Sequence, residues 1–307
     1  MIINELRPQG FCHGVARALK IVKDAIKDAN VKKPIYILGL IVHNKKIKEA
    51  LDHYGVISFD KPNMTRLQMT ELVNEGTVIL SAHGSSPEVK KVLQEKNIPV
   101  IDATCSDVYK VHDQIIDHKD KYEIVYIGKN NHPEVEGILG LSDQISLITS
   151  IDEAKTFKKK TNKPLYVTNQ TTLSLFEVLT IVAEIKKSYE LIFNSDICMA
   201  TTRRQDIVIK QPDADLLIVV GDSYSSNTNK LQEVSERDAK IKSYRVESVE
   251  DINPKWFKNV KTINVTSGAS TSRAITNEVV SYLKNFDYNN KETWNNTSKV
   301  TYKEILG

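Results

Sequence analysis

Short apolar runs alternate along this chain with segments whose apolar positions recur every three or four residues, and the alternation keeps time with three cysteines. Met1-Ile2-Ile3, Ile98-Pro99-Val100-Ile101 and Leu191-Ile192-Phe193 predict strands, and each precedes one of Cys12, Cys105 and Cys198. A helical pattern follows each cysteine. The clearest runs through Val15, Ala18, Leu19, Val22, Ala25 and Ile26; the others cover about 107–116 and 201–209. Each cysteine is therefore expected where a strand turns into a helix. A second strand in each interval ends in glycine and a polar loop: 35–39 before His43-Asn44, 124–128 before His132-Pro133-Glu134, and 216–221 before Ser225-Ser226-Asn227. A third ends in another polar cluster: Ser81-Ala82-His83-Gly84, Asn169-Gln170-Thr171-Thr172, and Ser267-Gly268-Ala269-Ser270. Helical stretches such as 175–187 and 272–283 lie between.

The cysteines stand 93 residues apart in both intervals, so the three stretches overlay as an internal repeat. Strand alternating with helix means βαβ units and parallel sheets, and short β-branched runs suit strands covered on both faces. The pattern predicts three pseudo-threefold-related α/β lobes, each a small, mainly parallel sheet flanked by helices. Their expected limits are 13–104, 105–197, and 198–286 with residues 1–12 added as a strand. Residues 287–307 read as a tail: solvated over 287–299, then docking as a short extended segment over 300–306. Ligands of open α/β sheets bind at the carboxyl ends of strands, where all these polar loops lie.

Composition narrows the class of function. Forty-two basic residues are balanced by 39 acidic ones, a net charge of +3 spread along the chain, which gives no case for a nucleic-acid partner. No apolar run approaches the ~18 residues of a membrane span. Three cysteines are too few for a disulfide framework and imply a reducing compartment. The first residues carry no secretory signal, so the cytoplasm is expected, or a plastid stroma had a transit peptide been removed. No Gly-x-Gly-x-x-Gly or Walker A sequence supports a dinucleotide or nucleotide site.

A lone cysteine is most often a buried thiol. Three at equivalent strand-to-helix turns, where helix N–H groups favour a thiolate, read instead as ligands. Soft thiolates select iron–sulfur clusters or zinc, and the pattern alone leaves these two level. Three thiolates leave a four-iron cluster with one open iron, as a catalytic metal needs. Glu134, on the loop behind a strand end, is placed as a proton donor, while Glu136 reads as structural. His43 and His83, at homologous strand ends, suggest an anion site. Ser225, Ser226, Asn227 and Ser270 offer hydroxyls and amides suited to phosphate oxygens. His13, His53, His112 and His118 read as ordinary surface or core residues.

At these residues the sequence resembles the 4-hydroxy-3-methylbut-2-enyl diphosphate reductase family. The motifs are Gly10-Phe11-Cys12-x-Gly14-Val15, Val42-His43-Asn44, Ser81-Ala82-His83-Gly84, Asp102-Ala103-Thr104-Cys105, His132-Pro133-Glu134-Val135-Glu136-Gly137, Gln170-Thr171-Thr172-Leu173-Ser174, Asp196-Ile197-Cys198-x-Ala200-Thr201, Ser225-Ser226-Asn227 and Gly268-Ala269-Ser270. Singly each is weak; together, in this order, they are specific. The resemblance implies three lobes around one [4Fe–4S] cluster held by Cys12, Cys105 and Cys198, with one iron open to the substrate hydroxyl. It implies Glu134 as proton source, through or beside Thr171. It further implies diphosphate binding by His43, His83, His132, Ser225, Ser226, Asn227 and Ser270, and an electron donor such as ferredoxin or flavodoxin. The implied reaction closes the non-mevalonate isoprenoid pathway, giving isopentenyl and dimethylallyl diphosphate. Ser106 stands where the family commonly has proline and Met199 where tyrosine is frequent, and Lys129-Asn130-Asn131 adds a charge just before His132. These departures bear on loop rigidity and substrate affinity, not on the ligands.

Three other functions share part of this pattern. An iron–sulfur hydro-lyase acting on a small phosphorylated substrate would share the open iron and the acid but need no reductant. A cluster-bearing sensor would have no use for Glu134 and Thr171. A zinc hydrolase would differ in its metal.

Overall fold

A computed structural model describes residues 1–307. The apolar runs form strands because their β-branched side chains can be covered on both faces of a sheet. Twelve strands result: β1 Ile2–Glu5, β2 Ile35–Ile37, β3 Val56–Ser58, β4 Thr77–Leu80, β5 Val100–Asp102, β6 Glu123–Ile127, β7 Ser146–Ile148, β8 Leu165–Asn169, β9 Leu191–Phe193, β10 Leu216–Val220, β11 Ser243–Val246 and β12 Thr262–Ser267. They make three four-stranded sheets, ordered β3-β2-β4-β5, β7-β6-β8-β9 and β11-β10-β12-β1. Every pairing is parallel. The protein thus has three parallel-sheet α/β lobes with flanking helices, as the repeat predicts. In each sheet the first and third strands in repeat order are the inner pair. The third sheet takes its fourth strand from the N-terminus, where β1 pairs with β12.

By contacts the chain forms two compact units. One comprises Met1–Val15, His43–His53 and Met199–Gly307 and contains the third sheet; the other comprises Ala16–Val42 and Tyr54–Cys198 and contains the first two. Within the second unit, β6 alternates as a strand buried on both faces must. Val125 and Ile127 enter a cluster with Ile181 and Ile185 of the helix Leu175–Lys186. Ile124 and Tyr126 enter another, with Val111 and Ile115 of Ser106–His118 and Val135 and Ile138 of Pro133–Leu139. Burial of each such side chain contributes about 1.5–3 kcal/mol. The same alternation aims Tyr126 at the helix that carries Glu134.

The end of the chain departs from expectation. Residues 287–299 are largely exposed yet tethered: the Asn296 amide donates to the carbonyls of Val249, Glu250 and Ile252 at 3.2, 3.1 and 3.0 Å, and Trp294 stacks on Phe286. The last residues dock as a helix, Tyr302–Leu306, not as an extended segment. The reason is local. Thr301 and Glu304 form a reciprocal capping box, and Ile305 and Leu306 are both buried.

Candidate active site

The three cysteines occupy equivalent places. Cys12 immediately precedes the helix His13–Lys27, Cys105 caps Ser106–His118, and Cys198 precedes Met199–Ile209. Each backbone N–H is fixed by a carbonyl just beyond the third strand of the sheet whose edge strand leads into that cysteine: Cys12 by Ala269 at 3.0 Å, Cys105 by Ala82 at 3.0 Å and Cys198 by Thr171 at 2.9 Å. None of the three is in a disulfide, and each is half-buried. Ser106 and Met199 are the first residues of their helices. The proline common at the former position would suit the same slot, because the first helical N–H has no intrahelical partner.

In the second unit, β6 ends at Ile127 and the chain turns through Asn131, in the left-handed region at φ 59°, into the helix Pro133–Leu139. His132 caps this helix, its Nδ1 accepting the Glu134 N–H at 3.1 Å. A neutral His132 therefore carries its ring proton on Nε2. Glu134 is 2% exposed. Its Oε1 accepts from the Thr171 N–H at 2.8 Å and the Tyr126 hydroxyl at 3.1 Å, and its Oε2 accepts from the Thr171 hydroxyl at 2.9 Å. Burial pushes this carboxyl up to about 7 against the pull of those hydrogen bonds, and the Asp196 charge adds to the rise. Asp196 is itself buried and is held by neutral groups, the Thr168 hydroxyl at 2.5 Å and the Asn194 amide at 2.9 Å. The His83 and His132 rings meet edge to face with centroids 5.7 Å apart, and Ser81 Oγ lies 3.3 Å from His83 Nδ1.

The first unit gathers the other polar residues. Ser225 caps the helix Ser226–Val234 by accepting the Thr228 N–H at 3.3 Å. Asn227 Oδ1 accepts the Ala269 N–H at 2.9 Å. The Ser270 hydroxyl lies 3.4 Å from Ser225 Oγ and donates to the His43 carbonyl at 3.2 Å, while the Asn44 amide donates to the Ser270 carbonyl at 3.0 Å. A Cβ on Gly268 would fall 2.1 Å from Thr228 Oγ1, so only glycine lets this loop close on the helix start. Ser226 Oγ is buried without a hydrogen-bond partner. His43, read from sequence beside His83, thus groups with Ser225 and Ser270, while His83 groups with His132.

A family profile described as LytB protein matches residues 3–284. The chain belongs to the LytB family. This LytB chain is 45% identical, across all of its own length and 97% of the relative's, to the 4-hydroxy-3-methylbut-2-enyl diphosphate reductase of Bacillus thuringiensis (strain Al Hakam). The protein of that name from Bacillus anthracis (strain A0248) matches to the same extent. Among solved structures, the E-1-hydroxy-2-methyl-but-2-enyl-4-diphosphate reductase of Plasmodium falciparum aligns with TM-score 0.85 and 34% identity, over 94% of this chain and 89% of that one. A structure of (E)-4-hydroxy-3-methyl-but-2-enyl diphosphate reductase, described as the terminal enzyme of the non-mevalonate pathway, aligns with TM-score 0.63 and 31% identity, over 93% and 100%.

Two partners of Glu134 in this LytB protein escape a sequence reading. Tyr126 lies inside an apolar strand run and reads as packing. Asp196 stands in the Asp196-Ile197-Cys198 motif, but nothing in its spacing indicates that it lies near a carboxyl. The one available signal was a hydroxyl in a strand facing the helix that starts at Pro133.

Proposed function

We propose that this LytB protein is a 4-hydroxy-3-methylbut-2-enyl diphosphate reductase. It reduces (E)-4-hydroxy-3-methylbut-2-enyl diphosphate to isopentenyl and dimethylallyl diphosphate, the last step of the non-mevalonate route. The observation that carries this reading is a chain of hydrogen bonds. A buried carboxyl that titrates near neutrality, Glu134, is held by Thr171, whose carbonyl in turn fixes the backbone of Cys198.

The cysteines fit an iron–sulfur cluster: three part-exposed thiols outside any disulfide, each opening a helix. Cys12, Cys105 and Cys198 would hold a [4Fe–4S] cluster with one iron lacking a protein ligand. When bound, that group would relay the two electrons of an external donor one at a time and offer a Lewis acid to the leaving hydroxyl. Two electrons and two protons enter, the hydroxyl leaves as water, and one C–H bond forms at either end of the allylic fragment. Glu134, raised to about 7, is part-protonated near neutral pH and passes its proton on through or beside the Thr171 hydroxyl. His43, His83, His132, Ser225, Ser226, Asn227 and Ser270 would bind the diphosphate, the buried Ser226 hydroxyl gaining the partner it lacks. We take the lobe limits as 13–104, 105–197 and 1–12 with 198–286, and 287–307 as the tail. A ferredoxin or flavodoxin is the proposed electron donor. No helix is long and apolar enough to cross a membrane. The bacterial relatives support the cytoplasm as the compartment and lend nothing to a plastid.

Anaerobically purified protein tests this. It should contain iron and sulfide rather than zinc, and should convert the hydroxylated diphosphate only when dithionite and a viologen are supplied. Conversion without reductant would point to a hydro-lyase. No conversion under either condition would overturn the assignment.

A further inference from the structure

Tyr126 is 0% exposed, and its ring is enclosed by Val111, Ile115, Ile124, Val135 and Ile138. The ring has no freedom to turn away. A Cβ on Gly128 would stand 3.1 Å from Tyr126 Cε1 and 2.7 Å from Val135 Cγ2, so only glycine leaves room for it. In these apolar surroundings the phenol proton needs an acceptor, and it finds Glu134 Oε1 at 3.1 Å. Oε1 also accepts the Thr171 N–H, whereas Oε2 faces only the Thr171 hydroxyl.

We propose that Tyr126 is a positioning residue for the proton donor: by occupying Oε1 together with the Thr171 N–H, it confines the exchangeable proton of Glu134 to Oε2. The argument is one of valence. A backbone N–H can only donate, so the oxygen that faces it must keep a lone pair available. A hydroxyl can donate or accept. When Glu134 is protonated, Oε2–H donates to Thr171 Oγ1, and the threonine hydroxyl proton rotates away from the carboxyl. When Glu134 is ionised, the threonine donates back to Oε2. One proton leaves the carboxyl and one carboxylate remains. Burial holds the phenol itself well above its usual range, with the neighbouring Glu134 charge adding to the effect, so Tyr126 keeps its proton throughout.

The groups facing Glu134 are few: Tyr126 from β6, Asp196 from the segment after β9, and the His132 ring at the helix start, with Glu136 of the same helix paired to Arg66. The tyrosine hydrogen bond favours the carboxylate, so its loss must raise the pH at which Glu134 gives up its proton.

This rests on the proposed reductase reading, and the test separates the two. In cluster-loaded protein the carboxyl band of Glu134, identified by its absence in Glu134→Gln, is titrated by infrared difference spectroscopy. Tyr126→Phe keeps the ring and should move the midpoint upward by about one to two pH units, the worth of a hydrogen bond to a charged group. The alkaline limb of kcat should follow, with KM for the diphosphate unchanged. Incorporating 3-fluorotyrosine at 126, a stronger donor of nearly the same shape, should move the midpoint down, and provides the test should the phenylalanine variant not fold. A midpoint that stays put or moves the other way overturns the role of Tyr126 while leaving the reductase standing. Normal turnover in Glu134→Gln would instead remove the reading on which it rests.

Discussion

Glu134, the proposed proton donor, combines two opposed requirements in one carboxyl. A proton donor working near neutrality needs a pKa close to the ambient pH, and an ordinary glutamate near 4.5 would be almost wholly ionised there. Burial raises the group to about 7, and the bonds from Thr171 and Tyr126 stop it rising further. The sign of the pH dependence follows. The folded pKa lies above the free one, so the acid form persists through mildly acidic pH and is lost as pH climbs past 7. Turnover at saturating substrate should be flat on the acid side and fall towards about tenfold per pH unit above the midpoint. A pH–rate profile checks this, and an alkaline limb centred near 5 would contradict it. Glu134→Gln keeps the shape but removes the acid. It should lower turnover by about 100-fold or more while leaving diphosphate affinity unchanged in equilibrium binding. The inward placing of Glu134 was legible in the sequence from the strand end and polar loop that precede it, and the side chain is indeed buried. Tyr126 was not, since one hydroxyl in the run Ile124-Val125-Tyr126-Ile127 does not alter its apolar rhythm.

At the scale of elements, the short helix that carries Glu134 is held by its other carboxylate. Glu136 accepts the Arg66 N–H at 2.6 Å on Oε1 and the Arg66 Nη1 at 2.6 Å on Oε2. Arg66 is 8% exposed, and its guanidinium packs over Gly39, which sits at φ +83° and would bring a Cβ to 3.0 Å from Nη2. Burial works against the arginine charge and Glu136 offsets it. Removing the carboxylate leaves that charge unpaired, so Glu136→Ala should destabilise the protein by about 3 kcal/mol, the low end for an orphaned buried charge, because the Glu136 side chain keeps 30% of its surface in water. Chemical unfolding measures it. The double change Arg66→Met with Glu136→Leu should recover most of the loss, whereas additive losses would mean the pair is not the cause. The inner strands and long helices were legible because burial on both faces, or a regular apolar stripe, leaves a clear period. The outer strands β3, β7 and β11 were not. Each has three or four residues, and Val56-Ile57-Ser58 carries too few positions to separate a strand from a loop.

For the molecule as a whole, the informative quantity is the repeat. Equal cysteine intervals are weak evidence alone. They gain force because three sheets share one strand order and each cysteine N–H is bound to the matching carbonyl of the sheet whose edge strand leads into it, Ala269, Ala82 or Thr171. That equivalence was legible as a period, but the hydrogen bonds that enforce it join residues far apart in sequence and leave no local signature. It also makes a demand on function. If the three thiols are ligands of one cluster, none is privileged by its setting, and Cys12→Ser, Cys105→Ser and Cys198→Ser should fail alike. Each should lose most iron and sulfide and nearly all turnover after anaerobic purification. Because each thiol is half-buried and contributes little to a core, the unloaded fold should survive, with far-UV circular dichroism unchanged and stability within about 0.5 kcal/mol of the unloaded parent. A variant that kept full iron content would remove its cysteine from the ligand set, and with it the reason for three equivalent turns to end in sulfur.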